Sequence, residues 1–181
     1  MTDETTQRVG AVGDDAPTTL LDQLASKRKE IADIRETFVP IPGYDKEPPL
    51  LLAKYRLLEG PELDRIGSRV RRDVKGRWDR QITAAIDTFI AACEGIYVDT
   101  GDGAGPRPLT LNGEPITGYT EELAQALKFA SELPSPATAR SVVLGLFTNN
   151  DVAISSHAMV LSRWFADTSI DVSQEMLEGN L

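Results

Sequence analysis

The stretch GPELDRIGSRVRRDVKGRWDRQITAAIDTFIAAC (Gly60–Cys93) decides the fold class. Leu63, Ile66, Val70, Val74, Trp78, Ile82, Ile86, Phe89 and Cys93 recur every three or four residues, the period of one helix face. A single helix over that span would measure roughly 45 Å at 1.5 Å per residue. Gly67 and Gly76 each cost about 1 kcal/mol against alanine inside a helix, so a break near Gly76 is expected.

Upstream, Leu50–Leu58 alternates Ala53, Tyr55 and Leu57 with Lys54 and Arg56, which reads as a half-buried strand. Pro48-Pro49 bounds it, and Val39–Tyr44, with Pro40, Pro42 and Gly43, is expected to be extended. Before that, Leu20, Leu24, Ile31, Ile34 and Phe38 form an apolar stripe on a helix that Thr19 caps, with Asp22 in the reciprocal position. Residues 1–17 are polar, acidic and aperiodic, and read as a flexible, disordered N-terminal arm.

Downstream, Ile96–Val98 and Leu109–Leu111 are short β-like pieces around a Gly/Pro-rich loop, Asp99–Pro108. Thr120 caps a helix carrying Leu123, Leu127 and Ala130. Ser135-Pro136 reads as a cap and first turn for a helix through Val142, Val143, Leu146 and Phe147. A last helix holds Ile154, Ala158, Leu161, Trp164 and Phe165, and residues 168–181 read as a loose polar tail. The sum predicts a mainly α fold: one domain over residues 18–167, a compact bundle of about four to six helices with a minor β-hairpin or strand element.

The chain offers little for catalysis or for binding a cofactor, and no enzyme is expected. His157 and Cys93 are its one histidine and one cysteine, too few for a zinc site of about four ligands. Cys93 ends an apolar stripe and reads as a small buried hydrophobe. Asp99-Thr-Gly-Asp-Gly-Ala-Gly lacks the terminal glutamate of a calcium loop and the Lys-Ser/Thr of a phosphate loop, and reads as a solvated turn. The net charge of −9 disfavours nucleic acid, which needs an excess of cations. No apolar run approaches the roughly 20 residues that cross a bilayer, so no membrane partner is expected. One basic concentration stands out: seven cations within residues 65–80 against Asp73 and Asp79, a net +5. It reads either as a solvated helix face or as a docking surface for an acidic partner, around Arg69, Arg72 and Lys75.

The order of segments carries a resemblance. It runs Leu24-x-x-Lys-Arg-Lys-Glu-Ile-Ala, Val39-Pro-Ile-Pro-Gly-Tyr, Ala53-Lys-Tyr-Arg and Ala85-Ile-Asp-Thr-Phe-Ile-Ala-Ala-Cys-Glu-Gly-Ile-Tyr. Pro108-Leu-Thr-Leu, Tyr119-Thr-Glu-Glu-Leu-Ala, Ala139-Arg-Ser-Val-Val-Leu-Gly-Leu-Phe and the helix with Trp164 follow. Over most of residues 20–167 this resembles the tail assembly chaperones of long-tailed, siphophage-type bacteriophages of actinobacteria. The resemblance implies a non-catalytic holdase in the host cytoplasm, bound to the helical tape-measure protein while the tail tube assembles, and absent from the mature virion. It also implies a longer, frameshifted form of the chain as a candidate partner; a second copy of the chain is another. The client site would be an apolar groove between the C-terminal helices near Leu146, Phe147, Leu161 and Trp164. A structural tail or head-completion component retained in the virion is the alternative.

Overall fold

The computed structural model describes residues 19–178; the arm expected at 1–17 lies outside the described residues. Helix α1 (Leu20–Ile34) opens on a reciprocal cap. The Thr19 hydroxyl accepts from the Asp22 amide at 3.2 Å, and the Asp22 carboxylate accepts from the Thr19 amide at 3.0 Å. Phe38 does not extend the helical stripe: it lies in strand β1 (Glu36–Pro40), its ring edge-on to Tyr97 at 4.9 Å.

The expected helix bundle is corrected by a sheet. Strands β1, β2 (Leu50–Arg56), β3 (Cys93–Asp99) and β4 (Arg107–Pro108) pair antiparallel in that order. Ala53 of β2 faces Val39 on one side and Ile96 on the other, and the register shifts between Lys54 and Tyr55. β2 is therefore the central strand, and Leu51, Leu52, Ala53 and Tyr55 are all buried. A separate two-strand hairpin joins β5 (Thr110–Leu111) to β6 (Glu114–Pro115). The fold is mixed, combining six α-helices among the described residues with this sheet.

The long helical pattern divides at its glycine. Helix α2 (Gly60–Asp73) closes with the Val74 amide on the Val70 carbonyl, and α3 (Arg77–Ala92) starts after Gly76. A Cβ on Gly76 would lie 2.4 Å from the Asp79 carboxylate, so glycine lets that side chain fold back over the helix start. At the other end of α3, Cys93 takes extended angles while its amide still bonds Phe89, and the chain passes from helix to strand without a loop. That direct switch is why Cys93 starts β3 instead of ending the helical stripe.

Ile82, Ile86, Phe89 and Ala92 turn the buried face of α3 into the shared core. Helix α4 (Glu121–Ala126), a 3-10 turn (Ala130–Glu132), α5 (Ala139–Leu146) and α6 (Asp151–Glu178) complete the layer. Three boundaries differ from expectation, the first being that α4 ends at Ala126, so that Ala130 falls in the 3-10 turn. Thr138, not Ser135, caps α5, its hydroxyl accepting from the Ser141 amide at 3.1 Å. Helix α6 runs through most of the stretch read as a loose tail, with Thr168 buried and the Ser169 hydroxyl bonded to the Phe165 carbonyl at 2.7 Å.

A buried chain of hydrogen bonds ties these layers together. His157 Nδ1 lies 3.1 Å from the Pro40 carbonyl, which can only accept, so Nδ1 carries the proton. Neutral His157 then has an acceptor at Nε2, and the Tyr55 hydroxyl donates to it at 2.8 Å. Having spent its proton there, the Tyr55 oxygen accepts from the Tyr119 hydroxyl. The relay therefore runs in one direction, from Tyr119 through Tyr55 and His157 to Pro40. Phe89 and Phe147 wall it in, their rings 5.0 and 5.3 Å from the imidazole.

Direction sets the cost of breaking it. Tyr55→Phe strips His157 Nε2 and the Tyr119 hydroxyl of their partners at once, whereas Tyr119→Phe leaves every remaining donor satisfied. Urea unfolding should show Tyr55→Phe destabilised by about 1–3 kcal/mol per orphaned group, and Tyr119→Phe by clearly less. Equal losses would mean the relay is not directed in this way.

Candidate interaction surfaces

The four residues expected to form a client groove do not form one. Leu146, Phe147 and Leu161 are 2%, 2% and 1% exposed, and Phe147 stacks on Phe89 at 5.8 Å. Trp164 is half-buried, packed against the core with its ring 5.3 Å from Phe165. This corrects the expectation: a partner would reach three of the four only by opening the core. The helical spacing of these residues is equally the spacing of a core stripe, and α3 supplies much of the surface they cover. Among the described residues, the large apolar side chains that α6 presents to solvent are instead Val152, Met159 and Val160, at 71%, 69% and 52%.

A second apolar surface lies on α1, where Leu20, Leu21 and Leu24 are 71%, 75% and 57% exposed. Three leucines within five residues of one helix, all in water, are a larger departure from ordinary burial than scattered surface apolar residues. Lys27, Arg28 and Lys29 follow them and are exposed as well.

The basic concentration resolves into a groove between α2 and α3. Its position is set at the start of α2, where Glu62 closes a capping box with Glu59. Arg56 donates from both terminal nitrogens to the Glu62 carboxylate, at 3.1 and 2.8 Å, and from Nη2 to the Ala91 carbonyl at 3.3 Å. The Arg56 bond and the Glu59 amide hold the Glu62 carboxyl down to about 2. One guanidinium thus joins β2, the first turn of α2 and the last turn of α3. Further along, Arg69 pairs with Asp87 of α3 at 2.7 Å, and Arg140 of α5 reaches Thr83 at 3.0 Å and Asp87 at 3.8 Å.

The resulting groove, of about 430 Å³, is lined by Arg65, Arg69 and Arg72 with Ser68, Glu62, Ile66 and Ala91. Of the three cations singled out in the sequence, Arg69 and Arg72 meet here. Lys75 does not line it: it is exposed in the turn between the two helices. Arg65 is the member that periodicity did not single out, and its place four residues before Arg69 is the signal that locates it.

The remaining reactive groups are occupied within the fold. Burial pushes the Cys93 thiol up to about 12, and the thiol sits 3.7 Å from the Gly95 carbonyl. In the Asp99–Gly105 turn, Asp99 accepts from the Gly101 amide, and Asp102 accepts from the Ala104 amide and pairs with Arg107. Among the described residues, no group of three or more His, Cys, Asp or Glu is placed to hold a metal ion, and no helix is long and apolar enough to cross a membrane. No protein-family model, curated protein or solved structure matches the chain.

Two measurements follow. Leu161→Ala should cost about 2–5 kcal/mol in unfolding free energy, as a core truncation does; a loss under about 1 kcal/mol would return Leu161 to the surface. The second concerns His157, whose burial drops its pKa from 6.5 to about 4. The unfolded chain then binds a proton that the folded chain refuses, so the imidazole's contribution is complete above about pH 6.5 and is lost as pH falls towards 4. Across that window the wild type should lose roughly 3 kcal/mol more than His157→Gln. Parallel stability–pH curves for the two proteins would show that His157 titrates normally.

Proposed function

We propose that this chain is a phage tail assembly chaperone, a non-catalytic holdase that binds the tape-measure protein in the host cytoplasm during tail tube assembly. The observation that supports this reading most is the uncovered leucine cluster of α1. A tape-measure chain is long, helical and apolar-striped, and it needs its stripe covered before the tube encloses it. An amphipathic helix with Leu20, Leu21 and Leu24 in water offers a complementary stripe for helix-to-helix packing. Such contacts are weak singly and add up along a repetitive client, so release requires no nucleotide. The order of segments that resembles tail assembly chaperones supports the same reading. The apolar contact is thereby assigned to α1, in place of the C-terminal groove expected from periodicity.

The test is co-expression with the tape-measure protein of the same phage, followed by size exclusion. The client should become soluble and co-elute with the wild-type chain. Leu20→Ser/Leu21→Ser/Leu24→Ser should leave the client insoluble while changing unfolding free energy by no more than about 0.5 kcal/mol per site, because these side chains are already in water. Equal solubilisation by the variant would remove α1 from the contact. An insoluble client, together with stoichiometric recovery of this chain from purified virions, would replace the chaperone by a structural component.

A further inference from the structure

We propose that the groove between α2 and α3 is a docking site for an acidic helical segment of a partner protein; the client-binding reading is needed only to say that the partner is the tape-measure protein. Arg65, Arg69 and Arg72 stand at i, i+4 and i+7 on α2, so their guanidinium groups sample the groove over roughly 10 Å of helix axis. A second helix laid along α2 presents carboxylates at that same three-and-four spacing. Ile66 and Ala91 give the groove an apolar lining, on which one small apolar side chain of such a helix can seat.

The cations are held in place without being exhausted. Arg69 is anchored from within by Asp87, which is only 13% exposed, and uses one of its terminal nitrogens there. Arg72 pairs with its own neighbour Asp73, with 76% and 50% of the two side chains in water. An exposed pair of that kind contributes little and exchanges readily for a better-placed carboxylate. Glu62, the one carboxylate lining the groove, has both oxygens bonded to Arg56 and also feels the charge of Arg65, which leaves Arg69 and Arg72 without a carboxylate of the groove wall. Arginine forks suit carboxylates bidentately, which favours a glutamate- or aspartate-bearing helix. The charge pattern singles out the same place, since residues 65–80 carry a net +5 in a chain whose total is −9. An acidic partner is drawn to this groove in a chain whose remaining residues carry a net negative charge, and a long polyanion such as nucleic acid would meet that net repulsion along its length.

The experiment uses the full chain and a fluorescein-labelled synthetic helix of about 20 residues, with glutamates at alternating four- and three-residue spacing and one alanine/leucine face. A second peptide replaces each glutamate by glutamine. The glutamate peptide should bind at least about tenfold more tightly than its glutamine counterpart, and should weaken steeply between low and high salt. Arg65→Gln/Arg72→Gln, which keeps the Arg69–Asp87 pair, should lose about tenfold or more, and Lys75→Gln under about twofold. Unchanged thermal unfolding of the double variant excludes misfolding as the cause. Equal binding of the two peptides, wild-type affinity in the double variant, or tighter binding of single-stranded DNA through the same arginines would each overturn the site. Peptides from the tape-measure protein then compete with the label. If none competes while the designed helix still binds through Arg65 and Arg72, the groove stands and the client identity fails; if the designed helix does not bind, the groove fails whatever the client does.

Discussion

The bond between His157 and the Pro40 carbonyl is the constraint on which the rest of the fold depends. It joins the longest helix to the end of the first strand, residues 117 positions apart, and it fixes the tautomer that lets Tyr55 and Tyr119 pair behind it. Through those two hydroxyls the central strand and the segment leading into α4 are brought to the same point. Burying the polar side chains of Tyr55, Tyr119 and His157 is costly unless each finds a partner, and here each does. An apolar core would tolerate some sliding of α6 over the sheet, whereas a directed relay has one position in which all of its bonds close.

With α6 pinned there, the order of the other layers follows. α3 lies on β2 and against α5 and α6, and α2 folds back on α3. The helix pair has two electrostatic ties of different kinds. At one end the Arg56 guanidinium spans the Glu62 carboxylate and the Ala91 carbonyl; in the middle Asp87 receives both Arg69 and Arg140. Both ties place charge at the seam between helices, where a cleft remains between α2 and the end of α3. The apolar surface of α1 and the basic cleft of α2–α3 are thus separate features of the molecule, one defined by exposed leucines and the other by positioned arginines.

Much of this was legible along the chain. The helical period of residues 60–93, the break at Gly76, the Thr19 cap and the strand at Leu50–Arg56 all arise from local preferences, and local preferences leave a trace in sequence. The extent of the sheet did not. β2 pairs with β3 across about forty intervening residues, and such pairing leaves no periodic mark on either segment. Asn112-Gly113 does mark a hairpin locally, with φ of 53° and 87° as a two-residue turn requires, and it sits where β5 meets β6. For the site residues the difficulty was of another kind. Leu146, Phe147 and Leu161 obey the spacing of a core and of a binding groove equally well, and only the packing of α5 and α6 on α3 decides between them. Arg69 and Arg72 were visible as charge, but the apolar lining from Ile66 and Ala91 comes from two helices and exists only once they pack.

The exposed leucines of α1 carry a thermodynamic consequence. A helix of 15 residues is marginal by itself in water, and this one keeps Leu20, Leu21 and Leu24 outside the core. For a helix that is only fractionally formed, the affinity of any partner that needs the helix is the intrinsic one scaled by that fraction. Under the proposed function, substitutions at its solvent-facing positions, distant from any contact, would tune the fraction of chains ready to bind. Helix propensity itself would then be the dial that sets how readily the complex forms.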